Sequence, residues 1–379
     1  MKANALDRIA SLKQAAFKEG GFDGFLIFNH ANLIYFTGFS GASALLIPRE
    51  GTPTLYVYNV NYEQAKAEGK AFKVEPVKRS VSLLEEIAKQ VKELKIHNLA
   101  VDASSIESWR VLARKVRGST KLKIQGNIIC ALRKVKDEQE IELMYKAAEL
   151  TSEGMRVAYE TVAPGMKEYE VAAEIEYAMR KKGSYGTAFE TIVASGAYSA
   201  FPHGGCSDRE IRRGDLVVVD VGATYKYYHS DMTRTLVAGV PSDKQKKLHD
   251  VVKKAQDAAL EAVKPNVKAK AVDAAARKII AEAGYSEQFV HNLGHGVGLE
   301  VHEPPILGPY SKEVLVTGNV FTVEPGIYLV SYGGIRIEDT VLLREDGVQK
   351  LTNGPYLKQR VTVSVMPYFT GVVRRRGCG

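Results

Sequence analysis

The 379-residue sequence predicts an α/β chain, α+β in its second part, made of an N-terminal α/β domain over residues 1–130 and a duplicated domain over 133–355. Three observations predict it. Short β-branched runs alternate with amphipathic helical stretches up to about residue 130. From Arg133 the pattern changes to long helices followed by strands. And a helix-plus-turn segment recurs, without a gap, at an offset of 101 residues. Residues 356–379 form an atypical basic C-terminal tail.

The first 21 residues, MKANALDRIASLKQAAFKEGG, predict an amphipathic helix ending at Gly20-Gly21. They lack the continuous apolar stretch of a signal peptide. DGFLIFN, SALLIP and TPTLYVY predict strands. SLLEEIAKQVKEL predicts an amphipathic helix, NLAVDA a strand and ESWRVLARKV another helix. No chemical motif stands out in this region, which reads as a substrate-shaping or oligomerising module.

The repeat aligns VAPGMKEYEVAAEIEYAMRKKGSY, from Val162, with VKPNVKAKAVDAAARKIIAEAGY, from Val263. Val162 matches Val263, Pro164 matches Pro265 and Lys167 matches Lys268. Val171 matches Val272, Ala173 matches Ala274 and Gly183 matches Gly284. Each copy predicts a proline-containing turn, a helix and a glycine stop. Two copies are too few for a solenoid, so two halves packed face to face, with a site at their junction, are expected.

Composition narrows the function classes. Apolar residues are 45% and charged residues 25% of the chain, as in an ordinary soluble globular protein. The net charge is +8, but five basic residues and no acidic ones follow Tyr356, leaving about +3 for the rest. No basic stripe on a folded surface is indicated, so no nucleic-acid partner is expected. No run approaches the roughly 18 apolar residues of a membrane span. Three well-separated cysteines, Cys130, Cys206 and Cys378, form no disulfide framework or zinc-type pair, and a cytoplasmic location is expected.

The chemistry-bearing residues lie in the duplicated domain. LVVVDVG predicts a strand with Asp220 near its end, and Asp231 opens a second strand, DMTRTLVAG, eleven residues later. A buried aspartate there needs a partner or a metal. Asp220 alone reads equally well as a turn aspartate ahead of Gly222. VFTVE and IRIEDTVLL predict strands carrying Glu324 and Glu338, joined through a hairpin at Gly333-Gly334. Arg336 and Glu338, two apart, are expected on one face of one strand, where a surface ion pair is the alternative. In GHGVGLEVHEPP, His295 and His302 are seven apart among glycines. Neither a helix nor a strand is expected there, because fixed glycine loses the most backbone entropy; the glycines suggest a close backbone approach.

Four carboxylates in one cleft would repel and raise one another's pKa. Two divalent cations would neutralise them, with His295 as neutral nitrogen ligand. An oxygen-rich site with one imidazole suits manganese or a similar ion better than closed structural zinc. Two such ions could hold a hydroxide for hydrolysis.

The motifs FPHGGCSDREIRRGDLVVVDVG, SDMTRT, GHGVGLEVHE, VEPGIY and GGIRIED make residues 133–352 resemble the proline-specific metallopeptidases, the Xaa-Pro aminopeptidase and prolidase group. LIYFTGFSGASALLI resembles that group's N-terminal domain. The resemblance implies the duplicated pita-bread fold shared with methionine aminopeptidase. It places five metal ligands on Asp220, Asp231, His295, Glu324 and Glu338. Asp231 and Glu338 would bridge, Asp220 would hold one ion, and His295 and Glu324 the other. Glu324 would also be the general base. His203 and His302 would serve substrate, oxyanion or proton movement, and Arg336 would support the ligands or His302. Two divalent ions, most readily Mn²⁺ with Co²⁺ or Zn²⁺ as alternatives, and a homodimer are expected. Related prolidases commonly carry an arginine soon after the HE pair. Here HEPPILGPY has Ile306 near that place, which favours an Xaa-Pro aminopeptidase with a dipeptidase as the alternative. A non-catalytic binding protein is disfavoured, because relatives that only bind have lost ligands.

Overall fold

The computed structural model describes residues 2–78 and 80–357, so apart from Tyr356 and Leu357 the basic tail lies outside the described residues. The N-terminal helix Lys2–Lys13 continues as a π-helical turn to Glu19. Behind it stands a six-stranded sheet in the spatial order Lys73–Val77, Thr54–Tyr58, Ala44–Pro48, Gly24–Ile27, Asn98–Val101, Lys121–Ile124. The three strands expected first, and NLAVDA, form its middle. They are buried runs of β-branched and aliphatic residues, such as Ala44–Pro48, buried at all five positions.

The expected helices occupy Leu83–Glu93 and Ile106–Lys115. Three helices were not anticipated, Tyr62–Glu68, Gly126–Lys134 and His30–Thr37, and the side chains of the last are almost all buried. An apolar run this short carries no usable period. What sets its start is the Asn29 side chain, which accepts from the Asn32 amide, and Gly38 ends it in the left-handed region at φ 66°.

The duplication is present in the backbone. Helices Glu138–Thr161 and Glu168–Lys181 pack together, as do Asp243–Ala262 and Ala269–Glu282. The second helices of the two pairs start and stop 101 residues apart, matching the sequence offset. Even the special turn conformations repeat: Gly165 at φ 92° matches Asn266 at φ 68°, and Gly183 at φ 108° matches Gly284 at φ 86°. Each helical pair covers one sheet. The first sheet is Met232–Val237, Leu216–Val221 and Ile192–Ser195, sharing a core with Ala158, Val171 and Ile175. The second is Glu303–Leu307, Gly294–Gly296, Val320–Val323, Asp339–Arg344 and Gly347–Lys350, sharing a core with Val252, Val272 and Ile280. The halves meet where the Glu338 amide donates to the Thr233 carbonyl at 3.0 Å.

Two local expectations are corrected. Gly294–Gly296 is a strand, paired on both sides, with a bulge between His295 and Gly296. What the glycine backbone approaches is its neighbour strand, because a Cβ on Gly296 would run into the carbonyls of Glu303 and Pro304. Close strand packing therefore outweighs the entropy cost of fixing glycine there. IRIEDTVLL is not one strand. Gly333–Arg336 pairs with Gly326–Leu329, and Asp339–Arg344 pairs with Val320–Val323 in a different sheet. The hairpin turn lies at Val330–Tyr332, ahead of the glycines. The chain changes sheet at Ile337-Glu338, which aims Glu338 into the junction.

Candidate metal centre

The eight candidate residues reach the site from both halves. Asp220 stands on Leu216–Val221 opposite Thr233, and Asp231 directly precedes Met232–Val237. His295 is the middle residue of its short strand, Glu324 follows Val320–Val323, and Glu338 precedes Asp339–Arg344. All five line one cavity of about 690 Å³, together with His203, His302 and Arg336. Strand ends that meet at a junction bring together side chains up to 118 residues apart in the chain.

His295 Nε2 lies 3.4 Å from Glu324 Oε1 and 3.7 Å from Asp231 Oδ2. Its Nδ1 faces the Gly296 carbonyl at 3.1 Å. A carbonyl only accepts, so Nδ1 carries the proton and the Nε2 lone pair points at the carboxylates. Burial, then His302, pushes the His295 pKa down to about 4, so the ring is neutral near pH 7. Ligand atoms of Asp231, His295 and Glu338 all lie within 4.8 Å of one another.

The carboxylates are short of donors. Asp220 Oδ1 and Asp231 Oδ1 are buried with no hydrogen-bond partner. Burial, and next Asp220, holds the Asp231 pKa well above the carboxylate range. Burial, and next Asp231, does the same for Glu338. Burial pushes Glu324 up to about 8. Arg336 is the sole arginine or lysine among the cavity-lining residues, so three of the four carboxylate charges have no fixed counter-charge. Unpaired buried carboxylate oxygens facing an imidazole lone pair fit a divalent-cation centre, and the residues present suit oxygen-preferring first-row ions.

Arg336 does not support His302. Its Nη2 donates to Asp220 Oδ2 at 2.7 Å, its Nη1 to Tyr328 Oη at 2.9 Å and Pro202 O at 3.2 Å, and its Nε to Thr233 Oγ1 at 3.0 Å. Nor is it a surface ion pair with Glu338, since both are buried. The sheet change at Ile337 separates their side chains, and Glu338 instead accepts from Thr233 Oγ1 at 2.5 Å. Thr233 thus ties Arg336 to Glu338.

Besides Thr233, sequence reasoning missed three contributors. His291 lines the cavity, and its Nε2 lies 2.9 Å from Tyr328 Oη. Burial, then Arg336, lowers its pKa to about 4. Its place four residues before His295 was a usable signal. Tyr328 stands in the quoted VEPGIY, where nothing local marks its hydroxyl as functional. Thr322 accepts from the His295 amide at 3.1 Å and donates to Glu324 Oε1 at 3.2 Å, a role that depends on strand register.

Comparison with known proteins finds relatives over both parts of the chain. Residues 142–345 match Metallopeptidase family M24, and residues 8–135 match the Creatinase/Prolidase N-terminal domain. A Xaa-Pro dipeptidase of Pyrococcus horikoshii is 43% identical over 336 residues, covering 88% of this chain and 93% of the relative. The structure of a prolidase from Pyrococcus furiosus superposes with a TM-score of 0.83 at 42% identity, covering 89% of this chain and 98% of that one. An X-Pro aminopeptidase from Thermotoga maritima superposes with a TM-score of 0.82 at 41% identity, with the same coverage. The chain belongs to metallopeptidase family M24 and has its two-domain, pita-bread architecture.

Proposed function

We propose that this family M24 metallopeptidase is a Xaa-Pro dipeptidase, releasing proline from dipeptides in which proline is C-terminal. This replaces the aminopeptidase expected from the sequence. The single observation that carries the change is the 43% identity to a Xaa-Pro dipeptidase spread over 88% of the chain, both domains included. Asp220, Asp231, His295, Glu324 and Glu338 would hold two divalent ions, with manganese the first choice for an oxygen-rich set. Bound there, the ions would supply Lewis acidity to the scissile carbonyl and offset the buried carboxylates.

The chain's own groups do the rest. Glu324, beside His295 in the cavity, is suited to take a proton from water and return it to the leaving proline nitrogen. His302, its ring centroid 4.2 Å from that of His295, and His203 face the same cavity as donors for a developing oxyanion. Arg336 fixes Asp220, Thr233 and Tyr328 relative to one another. Phe189, Ile192, Val290 and Ile306 give an apolar wall that fits a proline ring and excludes water from it.

A second reading rests on one observation. Arg336, the only lysine or arginine among the lining residues, is committed to Asp220. Among the described lining residues a dipeptide's carboxylate then meets no uncommitted lysine or arginine, and its donors are groups without a fixed charge such as the Asn292 amide and the imidazoles of His203 and His302. An aminopeptidase acting on longer peptides leaves that carboxylate in water and needs no cation. The test is hydrolysis of Xaa-Pro beside Xaa-Pro-Yaa by the manganese-loaded protein, with product identification. The proposal expects kcat/KM for the dipeptide at least about tenfold higher, equivalent to about 1.4 kcal/mol. The reverse ratio supports the aminopeptidase, and no release from either peptide sinks both.

A further inference from the structure

We propose that the buried carboxylate of Glu303, clamped by Lys136 and Arg133, is the positioning group that aims His302 at the substrate. On this assignment the segment joining the two domains sets the geometry of a catalytic side chain. The inference rests on the reading of His302 as a substrate-facing residue.

His302 has little to hold it directly. Among the described residues no hydrogen bond holds its imidazole, and its ring contact is with His295. Its aim must therefore come from the backbone on either side. That backbone is folded around Glu303. A Cβ on Gly298 would lie 2.5 Å from Glu303 Oε1 and 2.9 Å from its Cδ, so the loop from Val297 to His302 closes over the carboxylate only because residue 298 is glycine. The Gly298 amide donates to the Glu300 carbonyl at 3.0 Å, and the Gly298 carbonyl accepts from the His229 amide at 2.8 Å.

The carboxylate is in turn held from outside its loop. Lys136 Nζ donates to Glu303 Oε1 at 2.7 Å, and Arg133 Nη2 donates to Oε2. All three residues are buried, at 5%, 3% and 5% exposure for Lys136, Arg133 and Glu303. Burial alone would raise the Glu303 pKa, but Lys136 and Arg133 reverse this and hold it below the usual range. Arg133 Nη1 also reaches Asn32 Oδ1 at 2.8 Å and Glu300 Oε2 at 2.9 Å. Asn32 donates to Asp102 Oδ2 at 2.9 Å in the N-terminal domain. Val297 and Leu299, in the same loop, share a buried core with Leu33 and Phe36. A buried ion pair is weak evidence for stability, but one that fixes register has a well-attested use. Here it fixes a loop that carries His302 into the cavity.

A positioning role and a purely structural one differ in a double-mutant cycle. Lys136→Met and Glu303→Gln are made in the full-length, manganese-loaded enzyme, each alone and on a His302→Ala background. Turnover is measured on whichever proline peptide the wild type cleaves, and metal per chain is measured in parallel. The expected single-mutant result is a roughly 10–100-fold fall in kcat, the scale for groups that orient a functional residue. KM and metal content should stay near wild type, and Lys136→Arg should recover most of kcat. On the His302→Ala background the further loss should be under about twofold, because the residue being aimed is already gone. Equal losses on both backgrounds, loss of metal, or unchanged kcat in the single mutants would overturn the proposal. Should Lys136→Met not yield folded protein, the milder Glu303→Gln cycle decides alone. A wild type that cleaves no proline peptide sinks the underlying reading, whereas an active wild type with additive losses sinks this inference only.

Discussion

Removing metal should make the protein's stability fall as pH rises. In the metal-free protein, burial holds Glu324 at about 8 against an ordinary 4.5. The folded pKa lies above the unfolded one, so the folded state binds the extra proton. Its stabilising contribution is complete below about pH 4.5 and is lost as pH rises through about 8. Between pH 7 and 9 the loss from Glu324 alone is about 1 kcal/mol, because most of its proton leaves in that interval. Asp231 and Glu338, also raised by burial and by neighbouring carboxylates, act in the same direction.

Bound divalent ions reverse the sign. They favour the ionised carboxylates and neutral His295, so metal binding strengthens with pH. The assay is thermal unfolding at pH 7 and pH 9, of chelator-treated and manganese-reconstituted protein. Buried histidines such as His249, away from the centre, contribute equally to both samples and cancel. The gap in melting temperature should widen from pH 7 to pH 9 by at least roughly 1 °C, the equivalent of about 1 kcal/mol at about 2 cal/mol/K per residue over 379 residues. In the chelator-treated protein alone, Glu324→Gln should remove about 1 kcal/mol of the loss between pH 7 and pH 9. A gap that is constant or narrows with pH would refute the charge reasoning for the centre.

Three further outcomes are expected. Asp231→Asn removes one charge and one donor oxygen from the ligand group, and should abolish turnover while lowering bound metal, read by elemental analysis; a wild-type kcat would contradict its assignment. His302→Ala should lower kcat by roughly 10²–10⁴ with metal content unchanged; loss of a full metal equivalent would make it a ligand instead. Ile306→Arg places a cation on the cavity wall at a position 38% exposed. Partly screened, a charge-assisted bond to the dipeptide carboxylate should raise kcat/KM for Xaa-Pro by roughly tenfold and leave Xaa-Pro-Yaa unchanged; equal effects on both peptides would show that the carboxylate does not reach this wall.

The site was legible in the sequence to the extent that its residue types were unusual for their surroundings. Aspartates at the ends of β-branched runs, a histidine among glycines and glutamates ahead of apolar strands all stood out, and all of them line one cavity. Their partners were not legible. Thr233, Thr322 and Tyr328 look like ordinary strand residues, and their roles come from register and from a sheet change at Ile337-Glu338 that no local pattern announces. The same holds for Arg336, which spacing placed beside Glu338 but which the fold turns toward Asp220, 116 residues away.

What the sequence determined by itself was most of the elements and their duplication. Amphipathic period, β-branched runs and glycine stops are local quantities, and the 101-residue repeat carries the same local chemistry twice. What only the tertiary structure decided was how charge is distributed among buried groups. Glu303 shows the reason: in sequence it is one more acidic residue after His302. Its ionisation depends on Lys136 and Arg133, 167 and 170 residues distant, and on the space left at Gly298. The cost of burying a charge is set by where its partners lie in space, and chain order does not encode that until the fold is formed.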